Sequence, residues 1–516
     1  MKKKALAAFA AALLMTLSLL TGCGSVVAAA PEETTALVTA RNDTSSGSGT
    51  AAPEVVSAAE VEVDVSVSDR DASGEYDASS AVSLTPEDDL TITEAGVYLL
   101  SGTYENKMLV IEVGDEDKVQ LVLENAVLTN ENGPAIYVRS ADKVFITAAE
   151  GTDNVISDGA DYAVTDGDTE LDAAVFSKED LTLNGAGKLT INGNCKHAVV
   201  SKDDLVVTAK ALTVNAENAG LCGKDSVRVS GASVQITAGS DGIRSDNDED
   251  AEKGYVGVTD SSLTIVSGKD GIQAETVFTS ADSAITVTAG GGSSARSADA
   301  SESYKGIKAG TALTVSGGTM QIDALDDALH TNGSILIEAG SFTLYSGDDG
   351  IHGDELVEIA GGTFRIAAHE GIEGTYVLIR GGEIDIQASD DGINAARKST
   401  AWTPTVEISG GTVTITMGAG DTDGIDSNGN ILITGGTISV NGSSAFDYDG
   451  TATFTGGTVY VNGQQVTTLP NQMMGGGMGG FGGQGGFPGG QGGGPGGQGG
   501  FPGGQGGFGG KGGGRP

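Results

Sequence analysis

SILIEAGSFTLYSGDDGI, residues 334–351, is one unit of a repeat, and its pattern decides the fold. Apolar residues return at every second position in two short segments, a glycine corner divides them, and an acidic pair with glycine leads into the anchor Ile351. A period of two is that of a strand with one buried face. The units that follow, LVEIAGGTFRIAAHEGI and YVLIRGGEIDIQASDDGI, repeat the order. The anchors are Val175, Val199, Leu221, Ile243, Ile272, Ile307, Leu329, Ile351, Ile372, Ile393, Ile425 and, by position, Phe446; most steps are 21, 22 or 24 residues. Longer steps coincide with the polar insertions SDNDEDAEKG, GGGSSARSADASES and AARKSTAWTPT, which read as loops grown from one corner.

Two further columns run in parallel. Three residues before the second glycine of each corner stand Val315, Ile337, Ile359, Ile379, Ile408, Ile433 and Phe454; two after it stand Met320, Phe342, Phe364, Ile384, Val413, Ile438 and Val459. Three short strands in about 22 residues trace a circuit of roughly 70 Å, and circuits stack about 4.8 Å apart. The expected fold is all-β: a right-handed, single-stranded parallel β-helix of a dozen or more coils. No coil buries its own apolar face, so stability comes from stacking. A leucine-rich horseshoe lacks its signature here, and a calcium roll of about 18 residues per turn has the wrong period.

Outward from this body the chain changes character. Residues 1–22, with Lys2, Lys3, Lys4 and a short apolar stretch, read as a lipoprotein signal peptide, and Leu20, Thr21, Gly22, Cys23 as a lipobox that makes Cys23 the lipid-bearing residue. Residues 23–86 read as a flexible tether in which Val61 to Ser68 is a stray strand, residues 87–470 as the β-helix, and residues 471–516 as a disordered Gly-rich tail. The expected location is extracytoplasmic, with the membrane met only through the N-terminal lipid, and a monomer is expected. Cys195 and Cys222 fall in different columns and read as buried free thiols.

With 70 acidic and 28 basic residues the formal charge is −42, which repels nucleic acid and anionic headgroups. Cations are the expected partners. Two before the anchor stand Asp327, Asp349, Glu370, Asp391 and Asp423; three before it stand Asp326, Asp348, His369 and Asp390; one after it stand His330, His352, Glu373, Asn394, Asp426 and Asp447. Stacked carboxylates about 4.8 Å apart repel by roughly 3–4 kcal/mol at an effective dielectric of 20. Calcium, whose oxygen ligands sit at about 2.3–2.6 Å, matches that spacing. The expected ligands are Asp326, Asp327, Asp348, Asp349, Glu370, Glu373, Asp390, Asp391, Asn394, Asp423 and Asp426; the competing reading gives the acids only turn and solubility roles.

These DDGI corners, at Asp348 to Ile351 and Asp390 to Ile393, and the lipobox resemble the clostridial carbohydrate-binding β-helix family, over roughly Asp88 to Gln465. The resemblance implies a fold similar to pectate lyases, calcium at the matching corners, and cellulosic or acidic pectic polysaccharide as ligand. The Gly-rich tail departs from it. Trp402, Arg397 and Lys398 in one insertion, with His352, are the expected glycan contacts, though Trp402 equally suits packing of its loop. A calcium-dependent lyase would need a basic residue to take a proton, and Arg244, Lys308, Lys305 and Lys269 are available. Because the acids recur coil after coil, no catalytic set is singled out and a binding module is favoured. A surface spacer or adhesin without a glycan ligand is the third reading.

Overall fold

The computed structural model describes residues 57–58, 61–87, 90–296, 301–419 and 422–471. The chain divides into two units, Met1–Glu54 and Val55–Pro516, and every described residue belongs to the second. Cys23, the leader and residues 472–516 lie outside the described residues.

The body is a parallel β-helix. Strands such as Leu329–Thr331, Ser334–Ile337 and Ser341–Ser346 form the three sides of one coil, and each pairs in parallel with its counterpart a coil away. The anchors from Val175 to Phe446 make one continuous ladder, as their spacing predicts. It extends two coils further toward the N-terminus, through Ile136 to Leu109. Those coils carry no DDGI octet, and the strand Lys118–Asn130 runs through two sides without a break, which hid them from the repeat. The inward columns form one core, and Phe342 stacks on Phe364 with ring centroids 4.5 Å apart. At the C-terminal end Thr458–Val461 turns back in antiparallel pairing with Gln464–Val466, which closes the open edge of the stack. Cys195 and Cys222 are free thiols; Cys222 is buried and Cys195 is half-buried rather than buried.

The expected tether needs correction. Described residues between Ser57 and Tyr76 lie as a strap on the outer side of the second strand column, running against the direction of stacking. Ser57 Oγ and Ala58 N donate to Glu358 Oε2 at 3.0 and 2.6 Å. Tyr255 OH donates to the Asp64 carbonyl (2.8 Å), Arg228 Nη1 to that of Ser66 (3.0 Å), and Tyr76 OH to Glu124 (3.0 Å). The valine alternation expected to be a stray strand joins no sheet. Val63 instead packs on Tyr255, Val277 and Ala312, and Val65 lies over Gly257, where a methyl group would collide with it. A single helical turn, Asp69–Ala72, closed by a Ser68/Asp71 capping box, then aims Asp71 inward at Lys143 (2.8 Å) and Thr182 (2.6 Å).

Gly257 faces outward, so its replacement tests the strap without disturbing the core. Gly257→Val leaves the circular dichroism of the coils unchanged and makes residues 61–68 accessible to protease. Unchanged resistance there shows that the strap does not depend on this crossing.

Candidate functional site

The acids sit where the first strand column begins, and the local fold explains why. Each glycine of the corner lets the next coil approach closely; a Cβ on Gly350 would press on the Gly371 carbonyl at 2.6 Å. At four of these coils the carboxylate two before the anchor then accepts the backbone N–H of its counterpart one coil on. Asp241 takes Asp270 N (3.3 Å), Asp270 takes Lys305 N (2.7 Å), Asp327 takes Asp349 N (3.0 Å) and Asp391 takes Asp423 N (3.1 Å). One oxygen of Asp241, Asp270, Asp327 and Asp391 thus has a structural task, and the other is left for a cation.

What supplies that cation changes along the stack. The row one after the anchor runs Arg244, Gln273, Lys308, His330, His352, Glu373, Asn394, Asp426, Asp447 in parallel register. Its first part is largely basic and faces the acids: Arg244 to Asp241 (3.7 Å), Lys308 to Asp270 (4.0 Å), His330 to Asp327 (2.7 Å), His352 to Asp349 (2.6 Å). Lys305 stands within the acidic row and bridges Asp326 (2.8 Å) and Asp327 (2.7 Å). Lys398 reaches Glu373 at 2.8 Å. Burial disfavours charge on Asp327, but His330 and Lys305 outweigh it and hold the carboxyl well below the usual range. Burial likewise opposes charge on His352, yet Asp349 and Glu373 push the imidazole up to about 11.

From Glu373 onward the sign of the row reverses. Among the described residues no Lys, Arg or His nitrogen lies within ion-pair distance of Glu370, Asp391 or Asp426. Burial, with Asp426 and Glu370 close by, pushes Asp391 up to about 7, and burial with Asp447 and Asp423 pushes Asp426 up to about 6. Asn394, in the row after the anchor, is 8% exposed. Its Nδ2 donates to Glu370 Oε2 (3.0 Å) and Glu373 Oε1 (3.3 Å), while its Oδ1 is buried with no hydrogen-bond partner. An unpaired buried oxygen among carboxylates is costly unless a cation satisfies it. The donor set of Glu370, Asp391, Asn394, Asp423 and Asp426 is all oxygen and drawn from three successive coils, which fits a hard divalent ion.

The structure therefore divides the eleven expected ligands. Asp326, Asp327, Asp349 and Glu373 already face lysine or histidine, and Asp390 lies 3.9 Å from His369. Asp348 is grouped with Asp326 and Asp327. The expected glycan contacts divide as well. His352 and Lys398 meet at Glu373, and Arg397 is exposed nearby in sequence. Trp402 instead meets Tyr376 edge-on at 5.5 Å, in an apolar patch with Leu336, Leu356, Leu378 and Ala58 of the strap. The packing reading of Trp402 is the one its contacts match.

Residues 86–350 and 347–468 match the family model described as carbohydrate-binding domain-containing protein. A carbohydrate-binding domain-containing protein of Acetivibrio thermocellus is 34% identical over 131 residues, 25% of this chain and 46% of that protein, so the match spans under half of the relative's length. A solved structure of the polysaccharide lyase-like protein from C. thermocellum, a gadolinium derivative, is 30% identical; the match covers 48% of this chain and 86% of that one, with a TM-score of 0.37.

Proposed function

The chain belongs to the carbohydrate-binding domain-containing family, and from that premise we propose that it binds acidic polysaccharide through calcium held at the Glu370, Asp391, Asn394, Asp423 and Asp426 corner. The single observation carrying this reading is the orphaned Asn394 oxygen beside Glu370, Asp391 and Asp426, none of which has a Lys, Arg or His nitrogen within ion-pair distance among the described residues. The ion supplies charge that a uronate carboxylate can share. This chain's residues do the rest: the corner glycines set the coil spacing, the Asp391 carboxylate fixes the next coil by accepting the Asp423 N–H, and Asn394 donates Nδ2 to Glu370 and Glu373 and keeps a buried oxygen unpaired. Several such polymer carboxylates along one chain give avidity without a deep pocket.

Cleavage is the weaker reading. A lysine that removes a proton needs a lowered pKa, whereas Lys305, despite burial, is raised by Asp327 and Asp326, and Lys269 is raised by its contact with Glu302. Lys308 and Arg244 each face a carboxylate as well. In the proposed setting the protein is a lipoprotein outside the cytoplasm, tethered through Cys23; label from a palmitate analogue is expected on the wild type and absent from Cys23→Ala.

Affinity electrophoresis in gels containing polygalacturonate or a neutral glucan tests the binding reading. Calcium-dependent retardation is expected in the acidic gel, lost in Asp391→Asn and kept in Asp349→Asn. Release of unsaturated oligouronides would turn the reading to a lyase, and no retardation in either gel would turn it to a surface spacer.

A further inference from the structure

One coil before the oxygen corner, the donor chemistry changes. Asp349, His352 and Glu373 come from successive turns of the first strand column, and one donor atom from each lies within 4.8 Å of the others. All three are buried, at 5%, 8% and 4% exposure. His352 Nδ1 faces both Asp349 Oδ2 (2.6 Å) and Glu373 Oε2 (3.0 Å), so a nitrogen and two carboxylate oxygens converge on one point. Its other nitrogen, Nε2, is tied to Asp354 Oδ1 at 3.1 Å. A carboxylate behind the ligating imidazole is the arrangement that fixes ring orientation in metal sites. The ring also stacks on that of His330, with centroids 4.7 Å apart, which holds its plane.

We propose that Asp349, His352 and Glu373 form a site for a divalent first-row transition ion of the zinc class, separate from the all-oxygen corner. Imidazole nitrogen with carboxylate oxygen suits zinc and its neighbours, whereas calcium takes oxygen alone. The ion takes the place of the proton on His352 Nδ1, which leaves to solvent. Glu373 joins the two sites: Oε2 faces His352, and Oε1 faces the Asn394 amide. Lys398 Nζ, 2.8 Å from the same Oε2, is the cation that the ion displaces; with its side chain 36% exposed it can move into water. Removing Lys398 therefore strengthens binding of the ion, which no purely structural role of the cluster predicts.

The test titrates metal-stripped full-length protein, free of added histidines, with Co2+ in saturating Ca2+, reading visible ligand-field absorption and competing with Zn2+. One Co2+ per chain is expected. His352→Gln weakens it by about 100-fold or more and Asp354→Asn by about 10-fold to 100-fold, while Lys398→Met tightens it by about tenfold. Asp391→Asn leaves it unchanged. Circular dichroism confirms that each variant is folded, and Asp354→Asn, at the edge of the cluster, serves if His352→Gln is not. Absence of Co2+ absorption in the wild type, equal affinity in Asp354→Asn and His352→Gln, or loss of Co2+ together with calcium in Asp391→Asn overturns the proposal.

Discussion

Replacing Asp71 with alanine detaches the strap and costs about 3–5 kcal/mol, the range for removing one partner of a buried ion pair. Asp71 is 5% exposed and Lys143, its partner at 2.8 Å, is 8% exposed, so the variant leaves an ammonium buried without its counter-charge. It also removes the acceptor of Thr182 and one half of the capping box. The coils have their own ladders and core, so the loss is local and does not unfold the stack. Hydrogen exchange is expected to rise at Asp180–Gly185 and Asp204–Val207, which the strap crosses, and to stay unchanged at Thr412–Met417. The pH dependence has a definite sign. Burial would raise Asp71, but Lys143, Ser68 and Thr182 hold it at about 2, below the ordinary 3.8. Its stabilisation is therefore complete above about pH 4 and is lost as pH falls through about 2. Equal exchange in the variant and the wild type contradicts the clamp.

Removing calcium is expected to destabilise the C-terminal coils, and more so as pH rises. Asp391 and Asp426, raised to about 7 and about 6, hold protons in the folded state that the unfolded chain has already released above about pH 4. Folded protein then binds more protons than unfolded protein, so stability of the ion-free form falls as pH climbs from about 4 to about 7. Calcium replaces those protons and removes the slope. At a free concentration of about 100 times its dissociation constant, one ion adds about 2.7 kcal/mol. Melting curves in chelator should therefore shift down between pH 5 and pH 8, and curves in calcium should not. A chelated protein with the same melting temperature at both pH values returns these acids to a solubility role.

The parts of this architecture that repeat were legible in the sequence. The ladder from Val175 to Phe446 and the paired columns Phe342/Phe364 and Ile359/Ile379 follow from periodicity alone, because stacking forces like residues over like. The strap was not legible. Its valines alternate as a strand does, but the partners of Val63 and Val65 lie some 190 residues or more away at Tyr255, Gly257 and Val277, and no local signal points there. The stacking of the acidic pairs was legible, but their division between paired and unpaired acids was not. Lys305 occupies an acid's place in the row, and the row after the anchor passes from Lys308, His330 and His352 to Glu373, Asn394 and Asp426. That change of sign stands in the sequence. It gains meaning only when register shows which base faces which acid.

Calorimetric titration with a galacturonate oligomer decides whether a cation at the Asp391 corner joins this protein to an acidic glycan. Saturable binding is expected in calcium, abolished in Asp391→Asn and reversed by chelator; binding of equal strength in chelator, or in Asp391→Asn, overturns that reading.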